Sequence, residues 1–196
     1  LLAEHPEAEV MAGNQSLGIV MGNRLSTPDH VVDINRIDAL SFIDVGEAAV
    51  AVGAMTRHRD IERSADLREA LSILPEAAEQ IAGPSVRSRG TLGGSIGEAD
   101  PAGNYPTVAV ALDADIHLVA VDGERSVAAR DYFHGYMFTA LEEAELIERV
   151  TVDRAPFPAD RTGMAFVELK PVAQTWPTVS ARSEERRVGK ECIVKC

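Results

Sequence analysis

The sequence predicts an α+β protein built as two subdomains. Three observations predict it. Short apolar, β-branched runs read as strands, among them HVVDI (His30 to Ile34) and IHLVAV (Ile116 to Val121). Segments of helical spacing, LPEAAEQI (Leu74 to Ile81) and YPTVAVAL (Tyr105 to Leu112), fall among them without the strict alternation of a doubly wound sheet. Two glycine-centred loops, AGNQSLG (Ala12 to Gly18) and RGTLGGSIGEADPAGNYP (Arg89 to Pro106), punctuate the two halves.

Taken in order, Glu9 to Ala12 reads as a strand entering the first loop, and Gln15 to Met21 as a short helix. His30 to Ile34 is a β-branched strand. Phe42 to Val45 and Ala49 to Val52 flank Gly46-Glu47, a hairpin-like turn. Helical patterning starts near Thr56 and recurs from Pro75 to Ile81, with proline in the first turn and Gly83-Pro84 just past the end. Tyr105 to Leu112 forms a helix under the second loop. Ile116 to Val121 is a strand ended by Asp122-Gly123 and answered by Arg125 to Val127; Leu146 to Val152 and Met164 to Leu169 add two more. The expected division is a first subdomain at 1–52, a second at 53–170, the start of a further region at 171–181, and a tail at 182–196.

At 196 residues, the chain can bury one sizeable core or two small ones sharing a cleft. No apolar run approaches the roughly 18–20 residues of a membrane span, no secretory signal is visible, and the expected location is cytoplasmic. The net charge of −12 argues against a nucleic-acid partner. The two cysteines, Cys192 and Cys196, both lie in the tail, which excludes a metal cluster held by thiolates elsewhere in the chain. The five histidines show no metal-ligand spacing, so no metal is expected. Of these, His58 has the best claim to function, although a surface or capping role is the commoner use of such a residue. No nucleophile elbow and no acid–base pair stand out, and no catalytic residue is assigned.

The loops carry the chemistry. A diphosphate needs backbone N–H groups that approach without a Cβ in the way, which glycine permits. Neither loop matches the dinucleotide fingerprint or the P-loop, and either alone is equally consistent with a tight turn. Read together, the loops look like two halves of one phosphate- and flavin-holding site.

Their surroundings make the pair specific. RLSTPDHVVDINRI (Arg24 to Ile37), VAVGAMTRHRDIERS (Val50 to Ser64), LPEAAEQIAGPSVRSRGTLGGS (Leu74 to Ser95) and ADPAGNYPTVAVALDADIHLV (Ala99 to Val119) follow in one order. That order resembles the FAD-binding medium subunit of the molybdenum hydroxylases, which include the carbon monoxide dehydrogenase and xanthine dehydrogenase flavoproteins. The resemblance covers roughly residues 1 to 170. It implies a two-subdomain FAD-binding domain of the vanillyl-alcohol-oxidase-like (PCMH-type) fold, here truncated at both ends.

The resemblance also assigns FAD-binding residues. Ala12, Gly13, Gln15, Ser16 and Leu17 match the family's Ala-Gly-Gly-His/Gln-Ser loop around the diphosphate, with Asn14, which tolerates left-handed geometry, replacing the second glycine. Gly90, Thr91, Gly93, Gly94 and Ser95 belong to the second loop near the flavin end. Asn104 is the polar residue near the ribityl chain, Ile81 and Ala82 line the flavin side, and Ile147 is the apolar position under the ring. Gly93 is expected to be a point of close cofactor approach, so that Gly93→Val removes flavin while the fold survives. One departure stands: the family's lysine just after Ala-Phe is Val167 here, the lysine falls at Lys170, and the Arg-Arg pair is absent. Lys170 is not assigned to the flavin.

The implied function is an electron-exit module. Substrate is oxidised at a molybdenum cofactor on a large subunit, and electrons pass through iron–sulfur clusters on a small subunit to FAD, then to NAD, quinone or oxygen. Two other classes stay open: a self-contained flavin oxidase or reductase of the wider superfamily, and a non-enzymatic α+β domain whose glycines are only turns. The end segment RSEERRVGKEC (Arg182 to Cys192) abandons apolar patterning and equals the in-frame translation of a common sequencing-adapter oligonucleotide. It is expected to be non-native and without an ordered place, with a chain ending at Ala181 no less stable. Leu1 to His5 reads as the last turn of a helix, and the chain as an internal fragment.

Overall fold

The computed structural model describes residues 1–158, 162–172, 175, 177 and 179–186. It begins with a parallel pair, β1 (Glu9–Met11) beside β2 (Val31–Asp33), joined through α1 (Leu17–Gly22). A parallel pair needs a crossover, and the first glycine loop is the entry to it. Val10, Ala12 and Val32 pack on a small cluster of Ile34, Leu40 and Met55.

β3 (Ile43–Val45) and β4 (Ala49–Gly53) form the expected hairpin, closed where Gly46 N–H donates to the Ala49 carbonyl at 2.9 Å. Four short helices follow: α2 (His58–Arg63), α3 (Ala65–Ala70), α4 (Ile73–Glu79) and α5 (Pro84–Arg87). The helical patterning from Thr56 is thus broken at Ser64, whose hydroxyl caps α3 by accepting from Leu67 N–H at 3.2 Å, and again at Leu71-Ser72. Pro84 opens α5 at its first position rather than merely following the end of α4. α6 (Leu92–Glu98) and α7 (Asn104–Ala111) bracket the end of the second loop. Then come β5 (Asp115–Ala120), β6 (Gly123–Ala128), α8 (Ala129–Tyr132), the small hairpin β7 (Phe133–Gly135) and β8 (Phe138–Thr139), and β9 (Leu146–Asp153). β10 (Thr162–Leu169) pairs antiparallel with β11 (Val179–Arg186).

The main sheet has the order β3-β4-β9-β5-β6 with every pair antiparallel. Its inward residues, including Val50, Val52, Ile116, Leu118, Val150 and Val152, meet Ile61, Leu67, Leu74, Ile96, Tyr105 and Val108 from the helical layer. The fold is α+β, as the mixed order of elements indicates. Between His117 and Leu118 the β5–β9 register slips: His117 faces Arg149, whereas Leu118 faces Ile147. Glu148 is the extra residue, so Ile147 and Val150, three apart, both turn inward.

Two expectations differ from this arrangement. The division at 52/53 falls inside β4, which pairs with β9 from Ala49↔Asp153 to Gly53↔Arg149; β3 and β4 therefore belong to the sheet of the second unit. The physical reason is that a two-stranded hairpin cannot bury Val50 and Val52 by itself. At the other end, Arg182 to Arg186 continue β11 opposite Phe166 to Thr162. Antiparallel pairing joins main chain to main chain and does not require the apolar alternation whose loss marked this segment. Residues 187–196, with Ile193, Val194 and both cysteines, lie outside the described residues.

Candidate functional site

The two glycine loops meet backbone to backbone. A Cβ on Gly13 would lie 2.3 Å from the Arg89 carbonyl oxygen and 2.7 Å from Gly90 Cα. A Cβ on Gly94 would lie 3.9 Å from Ala12 Cβ, and Ser16 of the first loop is close enough to the Glu98 carboxylate at the end of α6 to favour its charged form. Gly97 brings Ile147 in, because its missing Cβ would sit 3.4 Å from Ile147 Cδ1. Ala12 to Leu17, Gly90 to Ser95 and Ile147 are therefore one neighbourhood.

The first loop presents donors. Gln15 turns back, its Nε2 donating to the Gly13 carbonyl at 2.9 Å. Asn14 takes φ 58°, in the left-handed region, and its carboxamide fills the space a Gly18 side chain would need, the Cβ there meeting Asn14 Oδ1 at 2.3 Å. Asn14 Oδ1 is buried and makes no hydrogen bond among the described residues. Nor do the backbone N–H groups from Gly13 to Leu17 find an acceptor among them. A run of unspent amides next to a glycine is the kind of donor set a diphosphate requires.

The second loop is built differently. Gly93 N–H donates to Ala54 O at 2.7 Å, Leu92 N–H to Thr56 O at 3.0 Å, and Gly94 N–H to Thr91 Oγ1 at 3.1 Å. These bonds stitch the loop to the end of β4 and start α6, which Thr91 caps. The wall against Gly93 is protein: a Cβ there would meet Ala54 Cβ at 2.5 Å and Ala54 O at 2.9 Å. Ala54, just past the end of β4, therefore demands a glycine at 93 on packing grounds alone. Gly94 and Ser95, both half-buried, are the more open members.

Three assigned residues stand on the α4 side. Asn104 is buried at the start of α7 and donates its Nδ2 to the Ala77 carbonyl at 2.9 Å. Ile81 and Ala82 form the turn after α4, Ala82 at φ 38°, and both carbonyls accept from Arg87 Nη1, at 3.0 and 3.1 Å. Arg87 Nε also pairs with Glu62 at 2.8 Å. Lys170 Nζ donates to the Gln80 carbonyl and lies 2.5 Å from Glu168 Oε2, so its charge is already engaged.

Arg36 and Arg57 lie near Asp33, whose carboxyl is held below its usual range chiefly by hydrogen bonds from Asn35. Burial pushes Glu98 up, and Asp100 adds to the effect. His58, behind the second loop, is 5% exposed. Its Nε2 would be 2.6 Å from a Gly90 Cβ, and its ring tilts against Tyr105 at 5.3 Å between centroids. Burial, then the fields of Arg57 and Arg87, lower its pKa to about 4, so it is neutral. It serves packing, and Nδ1 has no hydrogen-bond partner among the described residues.

Spacing along the sequence missed two groupings. Asn35 and Arg57 bridge the loops, Asn35 bonding the Ala12 carbonyl and Arg57 the Arg89 carbonyl. His5, Glu7 and His30 meet on the surface at the outer end of β1–β2, with His30 Nδ1 2.9 Å from Glu7 Oε1 and the two imidazoles stacked at 3.9 Å. The parallel pairing of β1 and β2 brings them together, a long-range fact no local motif carries.

Residues 1–154 match the family described as "FAD binding domain in molybdopterin dehydrogenase". The chain is 37% identical over 183 residues to the carbon monoxide dehydrogenase medium chain of Hydrogenophaga pseudoflava, covering 93% of this chain and 63% of that one. It is 32% identical to caffeine dehydrogenase subunit beta of Pseudomonas sp. strain CBB1, over 100% of this chain and 68% of that one. Among solved structures, carbon monoxide dehydrogenase from Hydrogenophaga pseudoflava superposes with a TM-score of 0.91 at 36% identity, covering 96% of this chain and 65% of that one. Quinoline 2-oxidoreductase from Pseudomonas putida 86 superposes at 0.90 and 32% identity. The chain spans 63% of the length of the first of these relatives.

Proposed function

Since the chain belongs to the family of FAD-binding domains of molybdopterin dehydrogenases, we propose that it is the flavin-holding, electron-exit module of a molybdenum hydroxylase-type oxidoreductase. The observation that carries this reading is the set of unspent amides from Gly13 to Leu17 set directly against the second loop. The residues fit FAD: a first loop with donors for a diphosphate, the second loop packed directly against it, and apolar Ile147 across α6. When bound, FAD supplies the redox chemistry. This chain's residues hold the diphosphate at Gly13 to Leu17, orient the flavin end with Thr91, Gly94 and Ser95, and close the apolar side with Ile147, Ile81 and Ala82. No acid–base pair is needed from the chain.

In this reading the partners are a molybdenum-cofactor large subunit and an iron–sulfur small subunit, and the assembly works in the cytoplasm. Electrons enter from the partner's clusters and leave to an external acceptor. Among the described residues no helix is long and apolar enough to cross a membrane. The β7–β8 hairpin supports a subunit contact, with Tyr136 74%, Met137 49% and Phe138 63% exposed at one tip.

The test is reduction of the flavin in the reconstituted three-subunit complex. The visible flavin band is expected to bleach when substrate reaches the large subunit, and to stay oxidised when the iron–sulfur subunit is left out. Substrate-driven bleaching in the FAD-loaded chain alone would instead establish a self-contained flavin enzyme.

A further inference from the structure

We propose that Arg57 and Asn35 form a clamp that sets the gap between the two glycine loops and so positions FAD. The proposal rests on the FAD reading above and deepens it with two positioning residues outside both loops.

Arg57 precedes α2 where the chain runs beside the second loop. Its backbone bridges antiparallel to Thr91, flanked by His58 N–H donating to Gly90 O and Leu92 N–H donating to Thr56 O, each at 3.0 Å. That pairing fixes the start of its side chain at the seam. From there Nη1 donates to the Arg89 carbonyl of the second loop, and Nη2 donates to Asn35 Oδ1 at 2.9 Å. Asn35 completes the path: its Nδ2 donates to the Ala12 carbonyl of the first loop at 2.7 Å. A continuous run of hydrogen bonds thus joins the carbonyl of Ala12 to the carbonyl of Arg89. It spans the place where Gly13 touches Arg89 and Gly90.

The chemistry of each group suits the task. Asn35 Nδ2 has two hydrogens and two acceptors, Ala12 O and Asp33 Oδ1 at 2.6 Å, so its Oδ1 has to face Arg57. Asp33 Oδ1 also accepts from Asn35 N at 2.8 Å, which locks the side chain in place at the end of β2. A guanidinium is a rigid planar fork that can reach two acceptors at once, which one ammonium on a flexible stem does not reproduce. The clamp matters because the loops divide the work: the first has free donors, whereas the amides of Leu92, Gly93 and Gly94 are committed to Thr56, Ala54 and Thr91. A ligand held by both therefore depends on their spacing, and binding geometry tolerates only fractions of an ångström.

The test is equilibrium titration of the full chain with FAD, followed by flavin fluorescence, for the unaltered protein and for Arg57→Gln, Arg57→Lys, Asn35→Ala and the double variant Arg57→Gln/Asn35→Ala. Thermal midpoints of the flavin-free proteins are measured alongside. Each single variant is expected to weaken FAD by about tenfold, the scale of one lost charge-assisted hydrogen bond. Arg57→Lys should lose as much as Arg57→Gln, and the double variant no more than the weaker single one, because one path is broken once. Retention of affinity by Arg57→Lys, additive losses in the double variant, or lowered midpoints with unchanged FAD affinity would each overturn the clamp. If Arg57→Gln fails to fold, Arg57→Lys and Asn35→Asp carry the same comparison. Failure of the unaltered chain to take up FAD would overturn the FAD assignment, and the clamp with it.

Discussion

At Gly93, the space a Cβ would need is taken by Ala54 of the segment leaving β4. Gly93→Val must therefore displace backbone, an overpacking cost of about 1–3 kcal/mol or more. The expected outcome is a lower thermal midpoint in the flavin-free chain, and a midpoint equal to that of the unaltered protein would show that the Ala54 contact yields. His58 gives a second prediction. Its folded pKa is lowered to about 4 by burial, with Arg57 and Arg87 adding to the effect. The unfolded chain takes up that proton below about pH 6.5, whereas the folded chain does not until about pH 4. The stability tied to neutral His58 is therefore complete above the unfolded value and is lost as pH falls through this window, on the order of 3 kcal/mol in all. Denaturant titrations across the window should show a shallower pH slope for His58→Leu, and an unchanged slope would exclude His58 as the titrating group. The first loop was legible at this scale as a loop, since Gly13, Gln15 and Ser16 stand between the end of β1 and the start of α1. The reason for Gly93 was not, because Ala54 lies far from it in sequence.

Among the elements, the hairpin β3–β4 and the helix α7 were readable from turn residues and spacing. The division of the Thr56 helix was not, since Ser64 acts as a cap only once α3 packs Leu67 into the core. The β-bulge at Glu148 was equally hidden: it belongs to the register between β5 and β9, and it is what turns Ile147 toward α6. Arg87 on α5 is the tie between elements that governs the Ile81-Ala82 turn, through two carbonyl contacts and the pair with Glu62. The side chains of that pair are 13% and 23% exposed, so removing one partner leaves a largely dehydrated charge. Arg87→Met should cost on the order of 2 kcal/mol, discounted from a fully buried pair because some water remains. Chemical denaturation measures it; a change within a few tenths of a kcal/mol would reduce the pair to a surface contact.

For the whole molecule, the central fact is that the main sheet draws on both halves of the chain. β4 comes from Ala49–Gly53 and β9 from Leu146–Asp153, and they pair over five positions. Composition and turn signals gave two α+β units, but which strands share a sheet is decided by burial of Val50 and Val52 against β9 and the helices, a long-range outcome. A chain beginning at residue 53 therefore loses a central strand and exposes β9 as an edge. It should show no cooperative thermal transition by circular dichroism, and a sharp transition would restore the boundary at 52/53. The contact of the two loops across the small β1–β2 unit and this sheet is what lets the proposed function treat two turns as one site. The most direct measurement of that claim is a map of backbone amide chemical shifts in the full chain during titration with FAD. The account predicts the largest changes at Gly13 to Leu17, with a second group at Thr91, Gly94 and Ser95, saturating together at one FAD per chain. Changes confined to one loop, changes centred elsewhere, or none at all would contradict it.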